Sequence, residues 1–97
     1  MTPVHAKACK IDGRQRSKKS VIARIARELN FPDHFGGNLD ALYDCLTTAV
    51  EGPIAITWRA TNGARSAIGD DFEPLVATLK DAQKARDDLD FSLQAEN

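Results

Sequence analysis

The apolar residues of this 97-residue chain follow two spacings, which predict strands and helices in alternation. Short apolar runs bounded by turn residues predict strands at His5–Ile11, Ile54–Trp58 and Leu89–Leu93. Stripes at helical spacing predict three helices, which run from Ser17 to about Leu29, from Asn38 to Ala49 or Val50, and from Asp70-Asp71 to about Arg86. The stretch Ala60–Gly69 has no clear pattern and is left open between a short helix and a loop.

This order of elements predicts an α/β fold. Strands that alternate with helices favour parallel pairing through right-handed crossovers. We therefore predict a small three-stranded parallel sheet packed by three to four helices, in a single domain over residues 1–97. In the middle strand, Ile54, Ile56 and Trp58 should occupy one face of the sheet, with Ala55 and Thr57 on the other.

The second helix has two contrasting faces. Asn38 is a good N-cap residue for it. At about 100° per residue, the predicted core side carries Leu39, Leu42, Cys45, Leu46, Ala49 and Val50. The other side carries Asp40, Tyr43, Asp44, Thr47 and, if the helix reaches it, Glu51.

The charges on that second face are all of one sign. No Lys or Arg occurs between Arg27 and Arg59, and Asp40 and Asp44 form a like-charge pair at i,i+4 spacing. Such a pair lowers the stability of a helix by a few tenths of a kcal/mol. A helix that keeps this pair without a balancing cation suggests a positively charged partner.

Overall charge is nearly balanced, at −1, but it is unevenly distributed. Between Lys7 and Arg27 the chain is strongly basic, with Asp12 as its acidic residue before Glu28. A basic segment can indicate nucleic acid, but no aromatic platform accompanies it, so we interpret it as a solvated helix. We expect no nucleic-acid partner.

The composition also bears on the location of the protein in the cell and on whether it binds a cofactor. No apolar run approaches the ~18 residues of a membrane span, and the N-terminus lacks the apolar region of a signal peptide, so we expect a cytoplasmic protein without a membrane partner. Cys9 and Cys45 should then be free thiols. His5 and Cys9 are too isolated for a zinc site, and we expect no metal and no cofactor.

Catalysis is not favoured by these residues. His34, Asp40 and Asp44 could act as shuttle, acid and base, but the carboxylates lie on an exposed helix face where nothing would tune their pKa values. No nucleophile with a paired base, P-loop or dinucleotide fingerprint is present. Gly36-Gly37 precede a helix and could hold an anion, but Asp40 in the first turn would repel it. We expect no enzymatic activity.

The segment FPDHFGGNLDALYDCLTT, with the Glu-x-Pro turn and the strand ending at Trp58-Arg59, resembles the barstar family, whose members are intracellular inhibitors of barnase-type ribonucleases. The resemblance is dense from Phe31 to Arg59 and extends weakly to Cys9 and Leu93. It implies three parallel strands packed by helices and a cis Gly52-Pro53 bond. It also implies inhibition of a basic ribonuclease in a one-to-one complex, by a chain that is a monomer when free.

The resemblance assigns roles within the acidic face. Asp44 matches the dominant contact of the family and would mimic a phosphate, since a carboxylate accepts the charge-assisted hydrogen bonds that Arg, Lys and His offer to RNA. Asp40 and Thr47 match further contacts, and Asp81 matches an acidic contact on the last helix. The complete predicted partner-binding set is His34, Asn38, Asp40, Tyr43, Asp44, Thr47, Thr48, Glu51 and Asp81.

Some positions depart from the family pattern. His34 replaces an exposed Tyr, Tyr43 replaces a Trp, and Thr48-Ala49 replace a Gly-Trp pair. Because aromatic anchors often dominate interface energy, these changes leave open whether the target is barnase itself or a different, toxin-type ribonuclease. A non-inhibitory acidic adaptor on the same scaffold is the alternative, since a fold alone does not fix function.

Overall fold

The computed structural model describes residues 7–32 and 36–96. Its elements follow one another as β1 (Lys7–Ile11), α1 (Lys18–Glu28), α2 (Leu39–Asp44), a π-helical turn (Cys45–Ala49), β2 (Ile54–Thr61), α3 (Asn62–Ile68), a 3₁₀ turn (Gly69–Asp71), α4 (Phe72–Ala85) and β3 (Leu89–Glu96). Among these residues, no helix combines the length and the hydropathy that a membrane crossing needs.

The three strands form one parallel sheet in the order β1-β2-β3, which confirms the predicted fold class. Cys9, Ile56 and Phe91 are register partners across it. Both crossovers, β1 to β2 and β2 to β3, advance in the same direction across the sheet. Because such crossovers are right-handed, they place the intervening helices on the same face.

The two faces of the sheet differ accordingly. Ile54, Ile56, Trp58 and Ala60 are buried along β2, which confirms the predicted alternation in that strand. Their core neighbours from the helices are Val21, Ile22, Ile25, Leu42, Leu46, Leu75 and Leu79. The opposite face, which we call the open face, carries exposed Ala8, Lys10, Arg59, Asp90, Ser92 and Gln94. Parallel sheets usually bury both faces, and the polar side chains of this one allow it to meet water.

Helix ends are set by local hydrogen bonds. The side chains of Ser17 and Asn38 are N-caps, and the Asn38 Oδ1 accepts from the Ala41 amide at 2.7 Å. After α1, Asn30 takes the left-handed conformation at φ 58°. The Phe31 amide then donates to the Ala26 carbonyl at 2.9 Å, and the Asn30 amide to Arg27 at 3.3 Å. This is a Schellman ending, and it directs the chain into the loop before α2.

Two of the predicted strands were too short. The β2 strand continues past Trp58 to Thr61, and β3 continues past Leu93 to Glu96, because the two strands pair along their whole lengths. The stretch Ala60–Gly69, for which the sequence predicted either a short helix or a loop, therefore holds the end of β2 followed by α3. Asp71 makes no side-chain capping bond to α4, since the 3₁₀ turn leads directly into that helix. The Gly52-Pro53 bond is cis, as the resemblance implies.

Candidate functional site

The candidate site is the exposed side of α2 and the π turn, with its neighbours on adjoining elements; we call it the acidic face. Its predicted members Asp40 and Asp44 are both exposed. Neither carboxylate forms a hydrogen bond or an ion pair with any residue in 7–32 or 36–96. Both are thus available to cations supplied from outside the chain.

Side-chain donors occupy several backbone carbonyls around the π turn. The Thr47 Oγ1 donates to the Tyr43 carbonyl at 2.8 Å, and the Thr48 Oγ1 donates to the Asp44 carbonyl at 2.6 Å. Hydroxyls that occupy these i−4 carbonyls compete with the α-helical amides. The Val50 amide bonds to the Cys45 carbonyl at 3.2 Å, which is the i→i+5 pattern of a π turn. The Leu46 carbonyl, which would be its partner in an α-helix, accepts from Arg86.

These bonds also decide what the two threonines can offer to a partner. A hydroxyl has one hydrogen to donate and two lone pairs that accept. Because each hydrogen is already committed to a backbone carbonyl, Thr47 and Thr48 present acceptors outward. Together with the two carboxylates, they make this stretch a surface of hydrogen-bond acceptors, which suits a partner rich in Arg and Lys.

The predicted division of the helix into two faces needs two corrections. Ala49, predicted in the core stripe, is exposed, because each residue of a π turn advances by a smaller angle than in an α-helix. Val50 is buried as predicted. Tyr43, predicted on the exposed face, is half-buried and packs against the core, because it lies at the edge of the apolar stripe and its ring is large.

The remaining predicted members lie around this stretch. Asn38 is exposed at the helix start, Glu51 is exposed just after the π turn, and Asp81 is exposed on α4, which packs against α2. His34 falls outside the described residues, as does His5. A shallow pocket of about 220 Å³ adjoins Asp44 and is lined by Pro32, Gly36, Ala41, Asp44, Cys45, Thr48 and Ala49.

Arg86 holds the π turn in place through hydrogen bonds, a role that the sequence did not reveal. Its Nη1 donates to the carbonyls of Leu46 and Val50 at 2.8 and 2.6 Å. Its Nε and Nη2 donate to the Asp88 carboxylate at 2.8 and 2.9 Å, and the hydrogen bond from Arg86 lowers the pKa of Asp88. We call Arg86 and Asp88 the arginine clamp. A Cβ on Gly52 would collide with the Asp88 carboxylate and lie 2.7 Å from the Arg86 Nη2, so the glycine leaves room for both side chains.

The two cysteines are free thiols, and neither is an activated nucleophile. Burial raises the pKa of Cys9 to about 11, with a further rise from Glu28 and an opposing effect of Arg24. Burial, and then the charge of Asp44, also raise the pKa of Cys45. Raised pKa values leave little thiolate at neutral pH. Within residues 7–32 and 36–96, no three His, Cys, Asp or Glu side chains cluster as metal ligands would.

Comparison with known proteins gives three findings. A family described as "Barstar (barnase inhibitor)" matches residues 6–96. The "Putative ribonuclease inhibitor YrdF" of Bacillus subtilis (strain 168) is 32% identical over 75 residues, which cover 76% of this chain and 82% of that protein. A crystal structure of Cdc6p from Pyrobaculum aerophilum superposes with a TM-score of 0.58 at 19% identity, over 95% of this chain and 25% of the other, and this likeness concerns the fold alone.

Proposed function

The chain belongs to the barstar family, and from that membership we propose that it is a ribonuclease inhibitor that fills a basic active site with its acidic face. Asp44 is the phosphate mimic in this proposal, with Asp40, Thr47, Thr48, Glu51 and Asp81 as further contacts. Asn38, Tyr43 and His34 complete the predicted set. The chain itself performs no catalysis.

One observation carries the proposal: the carboxylates of Asp40 and Asp44 are exposed and unpaired by the described residues of their own chain. A ribonuclease active site gathers Arg, Lys and His to bind phosphate. Those groups are donors, and the acidic face offers acceptors to them. Charge-assisted hydrogen bonds of this kind are about twice as strong as neutral ones, and the anionic field also speeds the encounter of the two proteins.

The partner in this proposal is a basic ribonuclease of the barnase type or a toxin ribonuclease, bound one to one. An interface of ordinary size, about 1,600 Å² in total, would cover the acidic face and its surroundings. The small side chains Thr48 and Ala49 border the pocket beside Asp44. A partner side chain can enter there, so we expect specificity to differ among barnase-type enzymes. This role would make the chain a cytoplasmic immunity protein or antitoxin.

The test is inhibition of RNA cleavage by a panel of barnase-type and toxin ribonucleases, titrated with the wild-type protein and with Asp44→Asn. We expect at least one enzyme to lose activity with an equivalence point near one to one. Asp44→Asn should weaken binding by at least about 2 kcal/mol, as loss of a hot-spot residue does, or about 30-fold in Kd. Rising salt should slow association far more than dissociation.

The matched control is Asp70→Asn, which removes the same charge from an exposed position on the 3₁₀ turn. It should change the association rate slightly and the dissociation rate hardly at all. If Asp44→Asn inhibits as well as the wild type, Asp44 is not the phosphate mimic. If no ribonuclease in the panel is inhibited and the acidic face instead binds a protein without nuclease activity, the adaptor is the better description.

A further inference from the structure

The outer edge of β3 presents backbone groups to the surroundings, because β3 ends the sheet and has β2 on one side only. The Ile54 amide donates to the Asp88 carbonyl at 2.8 Å, and in a parallel ladder every second residue of a strand bonds to its neighbour. The even-numbered residues of β3 therefore bond to β2, and the odd-numbered ones direct their amides and carbonyls outward. The outward residues along most of the strand are Phe91, Leu93 and Ala95.

Gln83 of α4 closes this edge at one point. The Phe91 amide donates to the Gln83 Oε1 at 2.6 Å, so a side chain accepts where the carbonyl of a further strand would. Beyond that point, the amides and carbonyls of Leu93 and Ala95 bond to none of the residues 7–32 and 36–96. Ala95 is exposed and Leu93 is half-buried, so a second chain can reach this part of the edge.

β3 also lacks the residues that keep other strands away from a sheet edge. Natural proteins protect their edges with short strands and with Lys or Pro in the edge strand. The opposite edge of this sheet follows that rule, since β1 has five residues and two of them are lysines. β3 has eight residues and contains neither Lys nor Pro. Its outer edge is therefore suited to pairing with another strand.

A cationic cavity borders this edge. It has a volume of about 360 Å³ and is lined by Lys80, Gln83 and Lys84 of α4 and by Phe91 and Leu93 of β3. Both lysines are exposed, and neither forms an ion pair within the part of the chain that the structure describes. Like charges at i,i+4 spacing disfavour a helix slightly. Anionic groups supplied from outside would relieve that repulsion.

The spacing of the two lysines matches the spacing of side chains on an extended strand. Residues four apart on a helix are separated by about 6 Å along its axis. Residues two apart on a strand lie on the same side, separated by about 6.6 Å. A fourth strand that pairs with Leu93 and Ala95 can therefore place alternate side chains beside Lys80 and Lys84.

We propose that the β3 edge binds an extended acidic segment of another protein as a fourth strand, with two carboxylates two residues apart paired to Lys80 and Lys84. Main-chain hydrogen bonds to Leu93 and Ala95 supply affinity in this mode of recognition, and alternate side chains supply specificity.

A second copy of this chain fits the edge less well. An antiparallel pair of β3 edges has its two-fold axis normal to the sheet, so both α4 helices would lie on the same side. Lys80 and Lys84 of the two copies would then face one another. Asp90 of each copy lies on the open face, away from those lysines, and could not balance them.

The test is an NMR titration and hydrogen exchange of the full chain at constant ionic strength. The probe is the acetylated and amidated heptapeptide Thr-Val-Glu-Val-Glu-Val-Thr, and its control has Lys in place of both Glu residues. The acidic peptide should shift the amides of Leu93 and Ala95 saturably and, at about ten times Kd, should slow their exchange about tenfold. The lysine peptide should do neither. Absence of saturable shifts, or binding that leaves both amides unprotected, would overturn the proposal.

Variants separate the two parts of the site. Ala95→Pro removes an outward amide but no bond to β2, and should raise Kd for the acidic peptide at least about threefold. Lys80→Gln combined with Lys84→Gln should also raise Kd at least about threefold. The control Lys19→Gln removes an exposed cation of α1 and should leave Kd unchanged.

Unchanged binding in the double lysine variant, or an equal loss in Lys19→Gln, would contradict the proposed contacts. Protection of Leu93 and Ala95 that rises with protein concentration, without peptide, would make a second copy the occupant and would also refute the proposal. No ribonuclease enters these measurements, so their outcome is independent of the proposed function.

Discussion

Removal of Arg86 should destabilise the π turn, and the contacts of the arginine clamp allow us to work out the loss in free energy of unfolding. The Arg86 side chain is only 13% exposed, and its Nη1 serves two carbonyls at the end of the π turn. Hydrogen bonds from charged donors contribute about 1.5–3 kcal/mol when buried, and these two share one nitrogen in a partly buried setting. The salt bridge to Asp88, which is 46% exposed, adds little.

We therefore expect Arg86→Met to lower the free energy of unfolding by about 2–3 kcal/mol. For a domain of this size that corresponds to a fall in Tm of roughly 10–20 °C. Asp88→Asn should cost clearly less, because it removes only the exposed partner. Arg86→Lys should fall between them, since an ammonium keeps the charge near the helix end but cannot reproduce the guanidinium fork.

The measurements are urea unfolding for the three variants and hydrogen exchange at the Val50 amide, which closes the π turn. Exchange at Val50 should accelerate more in Arg86→Met than exchange in β2. A loss below about 1 kcal/mol in Arg86→Met, or an equal loss in Asp88→Asn, would refute the reasoning.

The pKa of Asp88 adds a test by pH. Its folded pKa is lowered below the ordinary 3.8, so its contribution to stability is present above that value and is lost as the pH falls through the lowered pKa. In Arg86→Met the pKa of Asp88 should return toward 3.8. The stability difference between wild type and variant should therefore shrink as the pH falls below about 4.

Two further predictions concern the thiols and the end of α1. Iodoacetamide should alkylate half-buried Cys45 faster than fully buried Cys9, whose pKa is about 11. A bound ribonuclease should slow the reaction at Cys45. Mass spectrometry measures both rates. Equal rates at the two thiols would contradict the burial, and unchanged labelling in the complex would contradict the interface. Asn30→Ala should cost about 1 kcal/mol in urea unfolding, since φ at this position is 58°, whereas Asn30→Gly should be neutral or stabilising; equal losses for the two variants would argue against backbone strain.

Much of the fold could be predicted because its signals are local. The alternation Ile54, Ile56, Trp58 identified the two faces of β2, and Asn38 identified the start of α2. The like-charge pair Asp40 and Asp44 identified the acidic face as an unbalanced surface. Each of these patterns depends on residues within a few positions of one another, whose geometry is fixed by the period of a strand or helix.

Other features depend on residues far apart in the chain, and no local pattern records them. Arg86 bonds to carbonyls 36 and 40 residues earlier, and β2 extends to Thr61 because β3 is there to pair with it. The π turn also displaced Ala49 from its predicted place, and the Leu46 carbonyl, which would accept from the Val50 amide in an α-helix, accepts from the distant Arg86.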